Sequence, residues 1–308
     1  MADTLQKFMF ENSAVRGELV ELSETWQQVQ ARRDYPQAVR TLLGDMLAAA
    51  ALLSANLKFD GSIIMQVHGD GPVSLLVVEC DATLQMRATA KFAPDAEIPA
   101  QAGLRELLNA HGRGRFAITL DPREKLPGQQ AYQGIVPLDG DDVASVIEHY
   151  MMRSEQLDTR LWLASDGEVA RGLLLQKLPG EGGSGKGGEA DLEEWNHVLT
   201  LAATLKRQEM LETDIQTLLR RLFWQEDVRI FEPRHPRFHC SCSREKVGNM
   251  LRMLGREEID SALAELGSLA IDCDFCGQHY AFDPVDCAQL FATDIMADAM
   301  RPAGDIKQ

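Results

Sequence analysis

The sequence predicts an α+β protein in three parts: a mixed α/β N-terminal core domain over residues 1–178, a linker over 179–231, and a small zinc-binding C-terminal domain over 232–308. Three observations carry that prediction. Strand-like and helix-like segments alternate through the first part without regular βαβ spacing, which favours α+β over a doubly wound sheet. A run of glycines, Pro179-Gly180-Glu181-Gly182-Gly183-Ser184-Gly185-Lys186-Gly187-Gly188, then breaks the pattern as a flexible linker does. Beyond it stand two close cysteine pairs, Cys240-Ser241-Cys242 and Cys273-Asp274-Phe275-Cys276, with thirty residues between them. Each pair can supply two thiolates from one tight turn, which is the arrangement of a tetrahedral zinc cage.

The totals narrow the function. A chain of 308 residues can bury a substantial core, and 45% hydrophobic with 25% charged residues is ordinary for a globular protein. The formal charge of −16 is not ordinary, and it repels nucleic acid and anionic lipid surfaces. The N-terminus, Met1-Ala2-Asp3-Thr4-Leu5-Gln6-Lys7, lacks an apolar signal core, and the longest apolar run, Met46 to Leu53, is too short to span a membrane. A cytoplasmic protein without nucleic-acid or membrane partners is expected. In a reducing compartment clustered cysteines point to metal binding or redox sensing rather than structural disulfides.

Residues 1 to about 60 read mainly as helix, with Ala14 to Val20 leading toward a long segment from Pro36 to Leu57. There Val39, Leu42, Leu43, Met46, Leu47, Ala50 and Leu53 fall at helical spacing, so one broad face should be buried. From Gly61 the period changes to two. Ser62 to His68 and Val73 to Cys80 flank Gly69-Asp70-Gly71-Pro72, a hairpin signal, and a third strand near Leu84 to Phe92 completes a meander. A short helix around Leu104 to Asn109, strands at Arg115 to Leu120 and Tyr132 to Leu138, a helix from Asp142 to about Met152, and strands near Thr159 to Ala164 and Val169 to Gln176 finish the domain.

In the glycine run, Gly180 to Lys186 approaches a phosphate-cradling loop, but Gly187 stands where a Ser or Thr would bind magnesium, so nucleotide binding is not expected. After it, Leu192, Trp195, Val198, Leu199, Ala202 and Leu205 predict one amphipathic helix, and Leu211, Ile215, Leu218, Leu219 and Leu222 a second. Isolated short helices are marginal in water, so both need a surface to dock on. They either pack simply on the first domain or dock conditionally, on the state of the cysteine-bearing segment C-terminal to them.

Residues 232–308 carry a net charge of −5, which argues against a zinc ribbon that grips DNA or RNA. Cys240 and Cys242 end an extended approach, Ser243 caps a helix carrying Val247, Met250, Leu251 and Leu254, and Gly255 stops it. A second short helix spans about Glu257 to Leu266 and ends at Gly267. Leu269-Ala270-Ile271 leads as a strand into Cys273, Gly277 permits the tight turn after Cys276, and His279 to Phe282 returns as the hairpin partner. Asp283-Pro284 opens a final helix. A fold this small depends on its metal. His239 and His279 flank the cage and could replace a sulfur, although four cysteines suffice. Cys80 and Cys287 are isolated and read as buried or idle thiols, with a helix terminus able to lower the pKa of Cys287 somewhat.

Cys-x-Cys and Cys-x-x-Cys separated by thirty residues, together with Phe10-Glu11-Asn12-Ser13-Ala14-Val15-Arg16-Gly17-Glu18-Leu19-Val20, Leu57-Lys58-Phe59-Asp60-Gly61, Gly69-Asp70-Gly71-Pro72 and Met152-Arg153-Ser154-Glu155-Gln156-Leu157, resemble the Hsp33 family of redox-regulated chaperones over nearly the whole chain. The resemblance implies that residues 1–178 bind substrate and dimerise, that 179–231 is a metastable linker, and that 232–308 is a redox-switch domain. Its zinc ligands carry over onto Cys240, Cys242, Cys273 and Cys276, one Zn2+ per chain in the reduced form. It implies an ATP-independent holdase and not an enzyme, inactive while reduced and acting on unfolding client proteins as a homodimer once oxidised. With a thiol two or three residues from any sulfenic acid, the expected disulfides are Cys240–Cys242 and Cys273–Cys276, with loss of zinc, an unfolded switch and a destabilised linker. Two rivals are a constitutive zinc-binding interaction module and a thiol–disulfide oxidoreductase using Cys273 and Cys276.

Overall fold

The computed structural model describes residues 3–57, 60–124, 130–179 and 189–299, in two compact units divided between His239 and Cys240. The glycine run at 180–188, with its phosphate-loop-like spacing, and Lys58-Phe59 lie outside the described residues.

The first unit begins with strands β1 (Thr4–Phe10) and β2 (Val15–Leu22), then helices α1 (Glu24–Gln30) and α2 (Gln37–Ser54). The expectation of a mainly helical first sixty residues is therefore corrected. Thr4 to Phe10 alternates side by side as a strand does, and Glu11 to Ala14 turns the chain so that β2 pairs antiparallel with β1, Thr4 opposite Glu21. The meander β3 (Gly61–His68), β4 (Val73–Asp81) and β5 (Gln85–Phe92) follows as expected, then α3 (Leu104–Leu108), β6 (Arg115–Pro122), β7 (Tyr132–Pro137) and α4 (Val143–Tyr150). Helix α4 runs into a π-helical turn at Met151–Glu155, and β8 (Thr159–Ser165) and β9 (Ala170–Lys177) close the core.

Helices α5 (Glu189–Ala202), α6 (Arg207–Glu212) and α7 (Ile215–Leu222) come next, where two helices were expected. Asp214 interrupts the second: its carboxylate accepts the backbone N–H groups of Gln216 and Thr217 and so starts a new helix. The unit ends with β10 (Val228–Ile230) and β11 (Arg237–Phe238).

Two sheets organise these elements, a five-stranded one in the order β10-β1-β2-β9-β8 and a six-stranded one in the order β11-β5-β4-β3-β6-β7. All pairs are antiparallel except β11 with β5. Helix α2 packs against strands of both sheets, which explains why its burial exceeds the single face expected: Ala48, Ala49, Ala50 and Ala51 are consecutive and all fully buried. Small residues all round let two sheets close on one helix.

The five-stranded sheet is covered on its other face as well. Along β9, Leu174 joins the cluster around α2, whereas Leu173 and Leu175 join a second cluster with Phe8, Phe10, Leu19 and the apolar sides of α5 to α7. Phe8, Phe10 and Phe223 meet there with ring centroids 5.0–5.8 Å apart. Each buried large side chain is worth about 1.5–3 kcal/mol over exposure. Docking on this face thus gives the short helices the stability they lack alone. Residues 232–239, read from sequence as part of the C-terminal domain, pair with the first unit: Leu5 exchanges backbone hydrogen bonds with Arg234, and the His239 N–H reaches the Met86 carbonyl.

The second unit contains α8 (Arg244–Leu254), α9 (Arg256–Leu266), the hairpin β12 (Leu269–Asp272) with β13 (His279–Phe282), and α10 (Pro284–Ala299). Among the described residues its core is small: Leu251, Ile259, Leu269, Phe282 and Cys287 are the buried members.

Candidate metal centre

The local chemistry of the second unit brings two loops together. Ser243, immediately after the first cysteine pair, caps α8 by accepting the Lys246 N–H at 3.2 Å, which fixes the direction in which Cys240 and Cys242 leave the helix. The second pair occupies the hairpin turn. The Gly277 N–H returns to the Cys273 carbonyl at 2.8 Å, with Gly277 at φ +70°, a conformation open to glycine at no steric cost. Arg244 ties the halves to each other: it donates to the Ala281 carbonyl at 2.6 Å, pairs with Asp286 at 2.7 Å and lies 4.2 Å over the Phe282 ring.

The result is a cage in which the four sulfurs of Cys240, Cys242, Cys273 and Cys276 all lie within 4.8 Å of one another. The separations between the two loops are 3.7 Å for Cys240 to Cys273 and 3.4 Å for Cys242 to Cys276. A tetrahedral ion with metal–sulfur bonds of about 2.3 Å separates its sulfurs by roughly 3.8 Å, so the thiols stand close to where such an ion needs them. Backbone N–H groups of Phe275 and Cys276 point at the Cys273 sulfur, that of Gln278 points at Cys276, and the Tyr280 hydroxyl donates to the Cys242 sulfur at 3.1 Å. Donors aimed at sulfur favour the thiolate.

Burial, joined by the neighbouring thiols, nevertheless pushes Cys276 up to about 12, and burial raises Cys273 too. Without a cation, then, burial favours the neutral thiols of Cys273 and Cys276. A soft divalent cation matches an all-sulfur donor set and would draw those protons off as it binds. The second pair sits in the turn of the β12–β13 hairpin, not at the helix start where the attacking cysteine of a thiol–disulfide oxidoreductase stands.

Among the described residues the cage comprises the four cysteines alone. His279 turns instead to Asp272, with Nδ1 2.7 Å from Oδ1. Cys80 is fully buried and pushed up to about 12 by burial, as an idle thiol should be. Cys287 corrects an expectation: burial, reinforced by Asp286, Asp283 and Asp260, raises its pKa where a helix terminus was expected to lower it. Sequence reading missed Tyr280 and Arg244. The signal for Tyr280 was the alternation of β13, which puts it on one face with Phe282; Arg244 carried none beyond its place next to a capping serine.

Among the described residues no helix is long and apolar enough to cross a membrane. The profile of the Hsp33 protein family matches residues 3–283. The chain is 46% identical over 308 residues to the 33 kDa chaperonin of Methylobacillus flagellatus, covering 100% of this chain and 99% of that one. It is 49% identical over 298 residues to the 33 kDa chaperonin of Chromobacterium violaceum, covering 96% of each. In fold it is similar to the crystal structure of the 33 kDa chaperonin from Thermotoga maritima, with a TM-score of 0.77 at 20% identity over 95% of this chain and 99% of that one.

Proposed function

The chain belongs to the Hsp33 family of chaperones, and from that premise we propose that it is a redox-regulated, ATP-independent holdase whose reduced, zinc-bound form is inactive. The observation that carries the proposal is the convergence of Cys240, Cys242, Cys273 and Cys276 within 4.8 Å, in a unit whose described residues include five in a buried core. These four cysteines would hold one Zn2+ as thiolates. When bound, the ion supplies charge that keeps four sulfurs deprotonated and close, and its binding energy is also folding energy for the unit.

Oxidation acts on the cysteines themselves. Peroxide converts one thiol to a sulfenic acid and leaves as water; a second thiol attacks that sulfur, forms the S–S bond and releases a second water. Each disulfide thus removes two thiols for the two electrons peroxide accepts. Closure as Cys240–Cys242 and Cys273–Cys276 is the most local outcome, and a fully oxidised cage has no thiolate left to hold the ion. The second unit then loses its metal and its fold, and the linker of 179–231 destabilises in turn. The apolar face of the five-stranded sheet, now under α5 to α7, is the largest reserve of buried surface such a change could free. Unfolding client proteins are the proposed partners, a homodimer the oxidised form and the cytoplasm the location.

The test is to measure zinc release, disulfide pairing, oligomer mass and suppression of client aggregation together, before and after peroxide. Release of one zinc with a gain in suppression supports the switch. Oxidised thiols with zinc retained and no gain would refute it, and full suppression by the reduced protein would favour a constitutive module. Mapping of Cys240–Cys273 and Cys242–Cys276 bonds would overturn the proposed pairing.

A further inference from the structure

We propose that Arg171 is the clamp that holds α6 on the five-stranded sheet, and that Glu21 positions it for that role. The regulatory use of the clamp rests on the switch reading above; its existence does not. Arg171 lies on β9 two residues before Leu173, so it points to the same face, the one on which the linker helices dock. It is 7% exposed and shares its face of the strand with the buried Leu173 and Leu175. Directly across on β2 stands Glu21, with its carboxylate 2.6 Å from one guanidinium nitrogen. The other terminal nitrogen, Nη1, donates to the carbonyls of Met210, Leu211 and Thr213, each at 2.8 Å.

Those carbonyls stand at the C-terminal end of α6, where a helix leaves its last acceptors without partners from a further turn. A guanidinium there satisfies them and complements the negative end of the helix dipole. The opposite end is fastened as well: Arg207, the first residue of α6, donates to the Ser165 carbonyl of β8. A helix of six residues cannot persist in water alone, so these ties and the burial of Met210 decide whether it exists.

An apolar side chain at 171 would pack on the linker in any register and would tolerate partial unwinding. Arginine does not. Its three acceptors converge on one nitrogen only while the end of α6 is helical, and once they move away a buried guanidinium is left with a single partner, which is costly. Docking and helix formation are thereby linked, so α6 leaves the sheet as a unit instead of fraying.

Hydrogen exchange across 205–222 in full-length, reduced, zinc-loaded protein reads the docking directly. The double variant Arg171→Met, Glu21→Met removes both buried charges and leaves none orphaned. Exchange of these amides should quicken at least tenfold while β3 to β6 keep their protection. Arg171→Lys, which keeps the ion pair but loses the planar fork, should give a smaller acceleration and serves if the double variant does not fold. Unchanged exchange at 205–222 in either folded variant overturns the clamp. If the clamp restrains activity, the reduced double variant also suppresses client aggregation more than the reduced parent does. Wild-type protein that fails to suppress aggregation after oxidation would sink the switch reading and leave the clamp standing.

Discussion

Tyr280 gives its hydroxyl hydrogen bond to the Cys242 sulfur at 3.1 Å, and that contact pushes Tyr280 up to about 12. A donor to a metal-bound thiolate orients it and drains charge from it, and losing such a partner typically costs about 10–100-fold in metal affinity. Tyr280→Phe should therefore weaken zinc binding by at least about tenfold in competition with a colorimetric chelator, with the four cysteines intact; an unchanged affinity would show that the contact is incidental. Glu18 is the second residue whose environment makes a measurable claim. It is fully buried beside Lys7, 4.0 Å away, and burial pushes it up to about 7 while burial also lowers Lys7. Asp45, held by Ser165 at 2.7 Å, is likewise pushed up to about 7 by burial. A carboxyl whose folded pKa exceeds its unfolded one keeps its proton longer in the native state, so its contribution is full below the unfolded value of 4.5 for Glu18 and is lost as pH rises through about 7. Stability against urea should fall between those limits in the parent. Glu18→Gln should flatten the fall in part, Asp45 and Glu148, both raised by burial, contributing with the same sign; an identical slope in parent and variant would contradict it.

At the scale of single elements, α8 depends on its cap. Ser243→Ala removes the acceptor for the Lys246 N–H and should cost the second unit about 1 kcal/mol, which the proposed coupling of metal binding to folding turns into roughly a fivefold loss in apparent zinc affinity. If affinity is unchanged, the cap does not set the path of the first cysteine pair. This helix was legible in sequence because its punctuation is local: serine before it, Gly255 after it, apolar residues at helical spacing between. The cysteine turn was legible for the same reason, with Gly277 marking the one position that needs a positive φ. Strand β2 was not, since Val15-Arg16-Gly17-Glu18-Leu19-Val20 places apolar residues at both periods, and only pairing with β1 and β9 decides between them. The break between α6 and α7 was hidden because Leu211 and Ile215 continue one helical stripe across the Asp214 cap. The full burial of α2 needed knowledge of a second sheet. The alternation of β13 marks the face Tyr280 shares with Phe282 but not its sulfur partner, and Arg244 gains its role only once the hairpin has formed, so no spacing in the chain announces it.

At the scale of the whole chain, the two units differ in what holds them. The first buries α2 between two sheets and covers one of those sheets again with α5 to α7, so its stability comes from a large apolar core. Among the described residues the second has five buried core side chains, one of them a cysteine. A core that small leaves little to hold a fold without a metal. A structural zinc contributes about 10–16 kcal/mol of apparent binding energy, as much as or more than the roughly 5–15 kcal/mol net stability of an ordinary domain. Removing the ion should therefore be decisive for one unit and indifferent for the core of the other. With a strong chelator under reducing conditions, amides of α8, α9 and the β12–β13 hairpin should exchange at nearly unfolded rates, while those of α2 and β3 to β6 stay protected. Protection retained in the hairpin would mean that the cage is not what folds it, and loss in both units together would mean that they do not unfold separately. Because the treatment breaks no thiol and forms no disulfide, it also separates metal loss from oxidation: if loss of the second unit is what frees the linker, the amides of α6 and α7 should loosen in the chelated protein as they do after peroxide.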